Sequence, residues 1–314
     1  MESSWFFSIL TAFFSVWFVI MVLDFNGPAR KLREQLGRQD VRLQDLKQKL
    51  EEAKVQSSEG KSKLAGLEEE WNNFEAKRKE LLPKVNKRLL IHIPAGNFTM
   101  GSKFEDSSPS ERPAHVVRID DFYIASTSVT NQEYRDFVNC TGYKAPVHWQ
   151  RGSFRAGTAR HPVTNVTWKD AKAYAEWAEV RLPTEAEWEK AVRGDDERLY
   201  PWGSRWLDDR CNCMNRVGST LPVDEFPVGR SAYGLWDTVG NAYEWCEDYY
   251  DKDYYKDSPD DNPKGPDRGE ERVIRGGCYM ENKAGVRAAH RAGASESYAR
   301  DSIGFRTAMS PKDS

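Results

Sequence analysis

The sequence predicts an α/β head, of the α+β kind and low in regular secondary structure, behind a transmembrane helix and a long coiled-coil helix. Three observations lead there. A charge-free apolar run lies near the N-terminus. An apolar repeat of 3.5 residues follows it. Beyond that, short helix and strand signals alternate with turns rich in Gly, Pro and Trp. The boundaries are 1–27 for the anchor, 28–83 for the stalk and 84–314 for the head.

The anchor rests on Trp5–Leu23, WFFSILTAFFSVWFVIMVL, whose only polar side chains are Ser8, Thr11 and Ser15. At about 1.5 Å per residue it reaches about 28 Å, close to a bilayer core. A cleaved signal peptide would carry a basic start and a small-residue cleavage site. Here Glu2 precedes the run and DFNGPARK follows it, so a retained single-pass helix is expected. Trp5 and Trp17 suit interfacial or packing positions.

In the stalk, fifteen positions from Leu32 to Leu81 are spaced alternately four and three, and eleven are apolar. So narrow a stripe is expected to be buried by a second copy or by a partner helix, the other reading being a solvated single helix or a hairpin that folds back on itself at SSEG. The SSEG stretch at Ser57–Gly60 interrupts the repeat, and Pro83 ends it.

Composition narrows the function classes. A net charge of -3 gives no bulk attraction to nucleic acid. Five cysteines, Cys140, Cys211, Cys213, Cys246 and Cys278, are too few and too scattered for a disulfide scaffold. The head opens with strand-like runs at Leu89–Ile93 and Ala114–Ile119. Three helix starts pair a threonine with a carboxylate three residues on: Thr130 with Glu133, Thr167 with Asp170, and Thr184 with Glu187. They open NQEYRDFVN, WKDAKAYAEWAE and EAEWEKAVRG. The rest reads as long aromatic loop, which needs buried Trp, ions or dense hydrogen bonding to hold it.

Eight stretches come in a telling order: IPAGNFTMGS (Ile93–Ser102), SVTNQEYRDF (Ser128–Phe137), HPVTNVTWKDAKAYAEW (His161–Trp177), RLPTEAEWEKAVRG (Arg181–Gly194), YPWG (Tyr200–Gly203), YGLWDTVGNAYEWCEDYY (Tyr233–Tyr250), RVIRGGCY (Arg272–Tyr279) and GFRTA (Gly304–Ala308). Together they resemble the formylglycine-generating enzyme, or sulfatase-modifying factor, family over about Ile91 to Met309. The resemblance implies a fold related to the C-type lectin fold. It also implies a copper- and oxygen-dependent oxidation of a sulfatase cysteine, run by two cysteines five residues apart. Counted from Gly277, those positions fall on Glu281 and Val286, and neither can replace a thiolate for Cu(I). Copper is therefore not expected, and Cys278 reads as a small buried residue. The chain looks like the cysteine-lacking branch of the family, found attached to kinases, lipoproteins and other assemblies.

The stretch matching the catalytic floor keeps Glu281, Asn282, Arg287, His290 and Arg291. They read either as a polar ligand pocket or as a salt-bridge network under the GFR turn. The resemblance also implies two structural calcium sites. One uses Asp237 and Glu244 with the carbonyls of Gly240 and Ala242; an ion pair to an arginine is the other reading of Glu244. The weaker site uses Asn212 and Asn215 with the carbonyls of Cys213 and Val217, and Asn215 stands where the family keeps an acid. Hard oxygen ligands suit calcium, and loss of charge weakens it.

Other chemistry lacks residues. His92, His115, His148, His161 and His290 show no metal-ligand spacing, Cys211-x-Cys213 is a weak metal or redox signal, and no G-x-S-x-G or phosphate-binding glycine loop is present. The leading expectation is a non-catalytic, membrane-anchored binding or scaffold module, its head contacting an unidentified protein or peptide. An oxidoreductase with Glu281 and Arg287 flanking its substrate is one alternative, and a calcium-dependent lectin-like binder is another. Arg30, Lys31, Arg33, Arg38 and Arg42 favour a cytoplasmic head. Family habit, calcium and the lectin-like fold favour periplasm, lumen or exterior, and that side is the expectation.

Overall fold

The computed structural model describes residues 90–311 except Asp106, together with Glu69, Glu70, Asn72, Asn73 and Ala76, which are helical. The expected membrane segment and nearly all of the stalk lie outside the described residues. Among the described residues no helix is long and apolar enough to cross a membrane.

All three threonine–carboxylate pairs open helices. They are α1 (Asn131–Thr141), α2 (Trp168–Trp177) and α3 (Glu185–Arg193). In each, the threonine hydroxyl accepts the backbone N–H three residues on, and the carboxylate accepts the threonine's own N–H. In α3 these bonds measure 3.2 and 2.8 Å. Two of the orphan donors at a helix start are thereby satisfied. Gly142 closes α1 in the left-handed conformation at φ 71°. Helix α2 stops at Trp177 rather than at Glu179, which takes φ 55°.

The two expected strands form as β1 (Leu90–Ile93) and β3 (His115–Ile119). Among the described residues seven more are present: β2 (Gly96–Met100), β4 (Phe122–Ala125), β5 (Tyr243–Tyr249), β6 (Glu271–Arg275), β7 (Arg291–Ser295), β8 (Ile303–Phe305) and β9 (Ala308–Met309). Strands β1, β4 and β9 make one sheet, and β2 pairs with β3. The largest sheet runs β7-β6-β5-β8, antiparallel except for β5 against β8. Within it Glu244 sits opposite both Arg275 and Gly304.

The core around α1 and α2 is aromatic. Tyr134 stacks on Tyr174 at 5.9 Å, and Phe305 meets both edge-on. Trp168 and Trp245 each donate their indole N–H to a backbone carbonyl, of Cys246 and Val166 respectively. A buried Trp needs such a partner, and here it ties a loop to a helix or strand.

Helix α3 differs from the other two, for every one of its nine residues is buried. It carries Glu185, Glu187, Glu189, Lys190 and Arg193 into the interior, and each is paired. Arg181 grips Glu187 with two bonds of 2.6 Å. Lys190 donates to the carbonyls of Pro94 and Gly96. Glu185 takes a two-pronged bond from Arg291 at 2.7 and 2.8 Å, and Arg275 lies 3.3 Å away. Glu189 accepts from Arg275 and from Arg193. Arg193 in turn bonds the carbonyls of Thr99 and Gly101. The helix is thereby joined to β2, β6 and β7 by charge.

Glu185→Gln leaves two buried guanidiniums short of one anion, so it should cost about 3–5 kcal/mol in urea unfolding. Thr184→Ala, which removes only a capping hydroxyl, should cost about 1 kcal/mol in the same assay.

Candidate functional site

The stretch Arg272–Arg291 runs from β6 through a double glycine and a loop to the start of β7. Gly276 and Gly277 take φ of 90° and 72°. A Cβ would lie 2.8 Å from the Thr238 carbonyl at the first and 2.3 Å from the Gly285 carbonyl at the second. Only glycine fits both the conformation and the space. Cys278 follows, 2% exposed, inside the core with Tyr243 and Trp245.

The two positions matching the family's thiols are filled differently. Val286 is wholly buried among Trp188, Val192 and Tyr200. Glu281 folds over Gly285, where an added Cβ would lie 2.5 Å from its Oε2. Its Oε1 accepts the Tyr243 hydroxyl at 3.0 Å. That hydroxyl lies 3.3 Å from His290 Nε2. His290 Nδ1 lies 3.5 Å from Glu111 Oε1, and Arg287 clamps Glu111 at 2.7 and 2.8 Å. A polar chain thus runs Glu281–Tyr243–His290–Glu111–Arg287.

Of the five floor residues, three therefore share one chain. Arg287 is taken up by Glu111 rather than left beside Glu281 for a substrate. Arg291 belongs to the separate network of Glu185. Asn282 makes a local turn, its Oδ1 accepting from the N–H groups of Ala284 and Gly285. Glu111 and Tyr243, the two residues that link the chain, were not singled out from sequence. Glu111 sits in SSPSERP, 176 positions before its arginine, and no local pattern marks it.

Electrostatics follow burial and pairing. Burial pushes the Glu111 carboxyl up, but bonds from His290 and Arg287 outweigh it and hold it below its ordinary value. Glu185 behaves alike, with Arg291 and Arg275 overcoming its desolvation. Burial, and then the charge of Glu281, pushes the Tyr243 hydroxyl up. Asp237 is raised well above the carboxylate range, first by burial and then by Glu244.

The loops expected to hold calcium are stitched by Asn241, which stands at φ 59°. Its Nδ2 donates to Asp237 Oδ2 and the Leu221 carbonyl, and its Oδ1 accepts from Asn212 and from Leu221 N–H. Glu244 is the counter-ion of Arg306, at 2.6 and 2.9 Å. It also accepts from Ser128 and the Trp188 indole, so four donors meet its two oxygens. A carboxylate so filled is a poor calcium ligand. Asp237 is the better one, because it is half-buried and, among the described residues, its carboxylate is bonded by Asn241 and by no cation. At the second loop Asn212 is buried and its Oδ1 has no hydrogen-bond partner, which suits a hard cation. Asn215 is exposed there, at φ 52°. Among the described residues no group of three or more His, Cys, Asp and Glu side chains converges as a metal site. Carbonyl and amide oxygens would have to supply most of the ligands.

A cavity of about 830 Å³ opens beside Tyr279. It is walled by Asn131, by the loop from Gln150 to Thr158, and by Gly218–Thr220.

The lowered carboxyls set a pH dependence. Glu111 has its folded value below its unfolded one, near 4.5. Its contribution to stability is complete above that pH and fades as pH falls through the folded value. Arg287→Gln should flatten this acid limb when the unfolding midpoint is followed from neutral pH downward.

Comparison with known proteins agrees with this geometry. The model of the sulfatase-modifying factor enzyme 1-like domain matches residues 77–311. The formylglycine-generating enzyme of Streptomyces coelicolor is 37% identical over 251 residues, covering 60% of this chain and 78% of that one. Serine/threonine-protein kinase Pkn1 of Chlamydia trachomatis serovar L2 is 36% identical over 284 residues, which is 83% of this chain. This chain spans 45% of the length of that kinase. The structure of PvdO from Pseudomonas aeruginosa superposes with a TM-score of 0.60 at 29% identity, over 70% of this chain and 94% of PvdO. With the domain model matching residues 77–311 of the 314, the chain belongs to the sulfatase-modifying factor, or formylglycine-generating enzyme-like, family.

Proposed function

We propose that this chain is a non-catalytic binding module, anchored in a membrane by its N-terminal helix and assembled through its stalk. The reading rests on one observation. The positions of the family's thiolate pair are a wholly buried valine, Val286, and Glu281, which is bonded to Tyr243. A carboxylate and a methyl surface cannot hold Cu(I) between two sulfurs. The arginines of the same stretch are used up by Glu111 and Glu185, which leaves them supporting the loops rather than a reaction. One fold hosts many functions, and a family name alone does not assign one.

The cavity beside Tyr279 is the natural contact surface of the head. Its rim continues into the loop at Met214–Val217, which pairs with 279–281 through Met214 N–H to Glu281 O and Asn215 N–H to Tyr279 O. Met214, Val217 and Met280 are exposed along that pairing. Large apolar side chains left open beside a polar cleft suit a protein or peptide partner. Calcium has a structural role in this reading. Asp237 with the carbonyls of Gly240 and Ala242 would hold one ion, and Asn212 and Asn215 with the carbonyls of Cys213 and Val217 a second.

Cross-linked pull-down from native membranes tests the assignment, using the full chain and residues 84–314 in parallel. A stoichiometric partner is expected with the full chain. Stoichiometric copper together with cysteine oxidation by the purified chain would overturn it. For calcium, an ion at about a hundred times its Kd adds about 2.7 kcal/mol. Chelation should therefore lower the unfolding midpoint, and a midpoint indifferent to calcium would remove the ion from the reading.

A further inference from the structure

The cavity beside Tyr279 carries three features that the fold does not use. The first is Asn131, the opening residue of α1, which is 6% exposed. Its backbone N–H donates to the His161 carbonyl at 2.9 Å and its Nδ2 to the Thr158 carbonyl at 3.0 Å. Its Oδ1 is buried and has no hydrogen-bond partner, and the residue lines the cavity. A buried acceptor of this kind calls for an N–H or O–H from whatever fills the space.

The second is a charge imbalance. Arg151 and Arg155 stand on the cavity loop, both exposed, and among the described residues neither makes an ion pair. Nearby arginines are engaged: Arg160 pairs with Asp224, and Arg135 bonds Gln132 and lies over Phe154 at 4.9 Å. The one carboxylate in the wall, Asp301, already accepts the Tyr279 hydroxyl at 3.1 Å. Two open guanidiniums against one engaged anion favour a negatively charged guest.

The third is that the one open ring in the wall is the small imidazole of His148. Phe154 is covered by Arg135, and Tyr279 is 6% exposed. The rest of the wall is mainly hydroxyl and amide, including Ser153, Thr164, Asn165 and Thr220. A sugar ring would find no open phenyl, phenol or indole face to stack on. An extended main chain, with a donor at every residue, would find acceptors and donors along its length.

We infer that this cavity binds an acidic peptide segment of a partner protein, with its carboxylates on Arg151 and Arg155 and a main-chain N–H on the Asn131 Oδ1. The inference rests on the binding-module reading and names the chemistry of its ligand. Arg151 and Arg155 project from an exposed loop, so replacing them leaves the fold intact.

Fluorescence anisotropy with the full chain in detergent tests it. The probes are a fluorescein-labelled peptide alternating Glu with Gly, the same peptide with Gln for Glu, and an oligogalacturonate. The Glu peptide should bind at least about tenfold more tightly than the Gln peptide, weaken with salt, and lose about tenfold in R151Q/R155Q. The unfolding midpoint of that variant should match the wild type. Equal binding of the Glu and Gln peptides, an unaffected double variant, or preference for the oligogalacturonate would each overturn the acidic-peptide assignment. The same chains in the membrane pull-down separate the two claims. A partner captured while no Glu peptide binds sinks the ligand class alone, whereas no partner and no peptide sinks the binding reading as well.

Discussion

The structure depends on a buried lattice of arginines and glutamates around α3. A helix with no exposed residue normally reads as apolar, and this one carries three glutamates, a lysine and an arginine. Such charges are tolerable only if each has a partner, because desolvation costs several kcal/mol per ion. Arg275 and Arg291, on neighbouring strands, meet Glu185 and Glu189 one helical turn apart. Their aromatic surroundings, Trp188 near Arg275 and Tyr255 near Arg291, exclude water and add cation–π contact. The geometry therefore has little freedom: moving the helix by one residue would strand two ions at once.

A second node locks the sheet to the chain end. Arg306 is wholly buried, bonded to Glu244 and to the carbonyls of Ala125, Trp236 and Asp237. This ties β5 to the link between β8 and β9 and to the loop that leads into Asn241. The long loops are thus held by guanidinium forks and by one asparagine hub as well as by apolar packing. That explains how so little regular structure supports a cavity of about 830 Å³. It also explains why the stretch matching the family's catalytic floor is rich in charge yet offers few free groups. Its arginines are structural, and open polar groups lie to one side of it, at Asn131 and the 151–155 loop.

The helix starts were legible because capping is local. Thr184 and Glu187 satisfy one another within a single turn, so four residues suffice to read it. Strands β1 and β3 were legible by alternation. Strand β5 was not, since its first four residues are all buried and leave no period to read. At the candidate site, Glu281, His290, Arg287 and Arg291 were visible as a cluster in sequence. Their division into two networks was not, because Glu111 and Glu185 join them from 176 and 106 residues away. The double reading of Glu244, calcium ligand or ion-pair partner, turned on Arg306, 62 positions on.

What the sequence determined by itself was whatever acts over a few residues. That includes the caps, the glycine turn at Gly276 and Gly277, the family, and the loss of a thiolate pair at Glu281 and Val286. At those two positions a carboxylate and a methyl surface stand in place of sulfur, and residue type alone says so, whatever the fold does. The tertiary structure decided which charges neutralise one another and which remain open. Arg287 and Arg151 are the same residue type in similarly polar stretches, yet one is bonded to a buried glutamate and the other stands exposed without an ion pair. Coulomb energy and desolvation depend on distance through space, and that distance exists only once β6, β7 and α3 have packed.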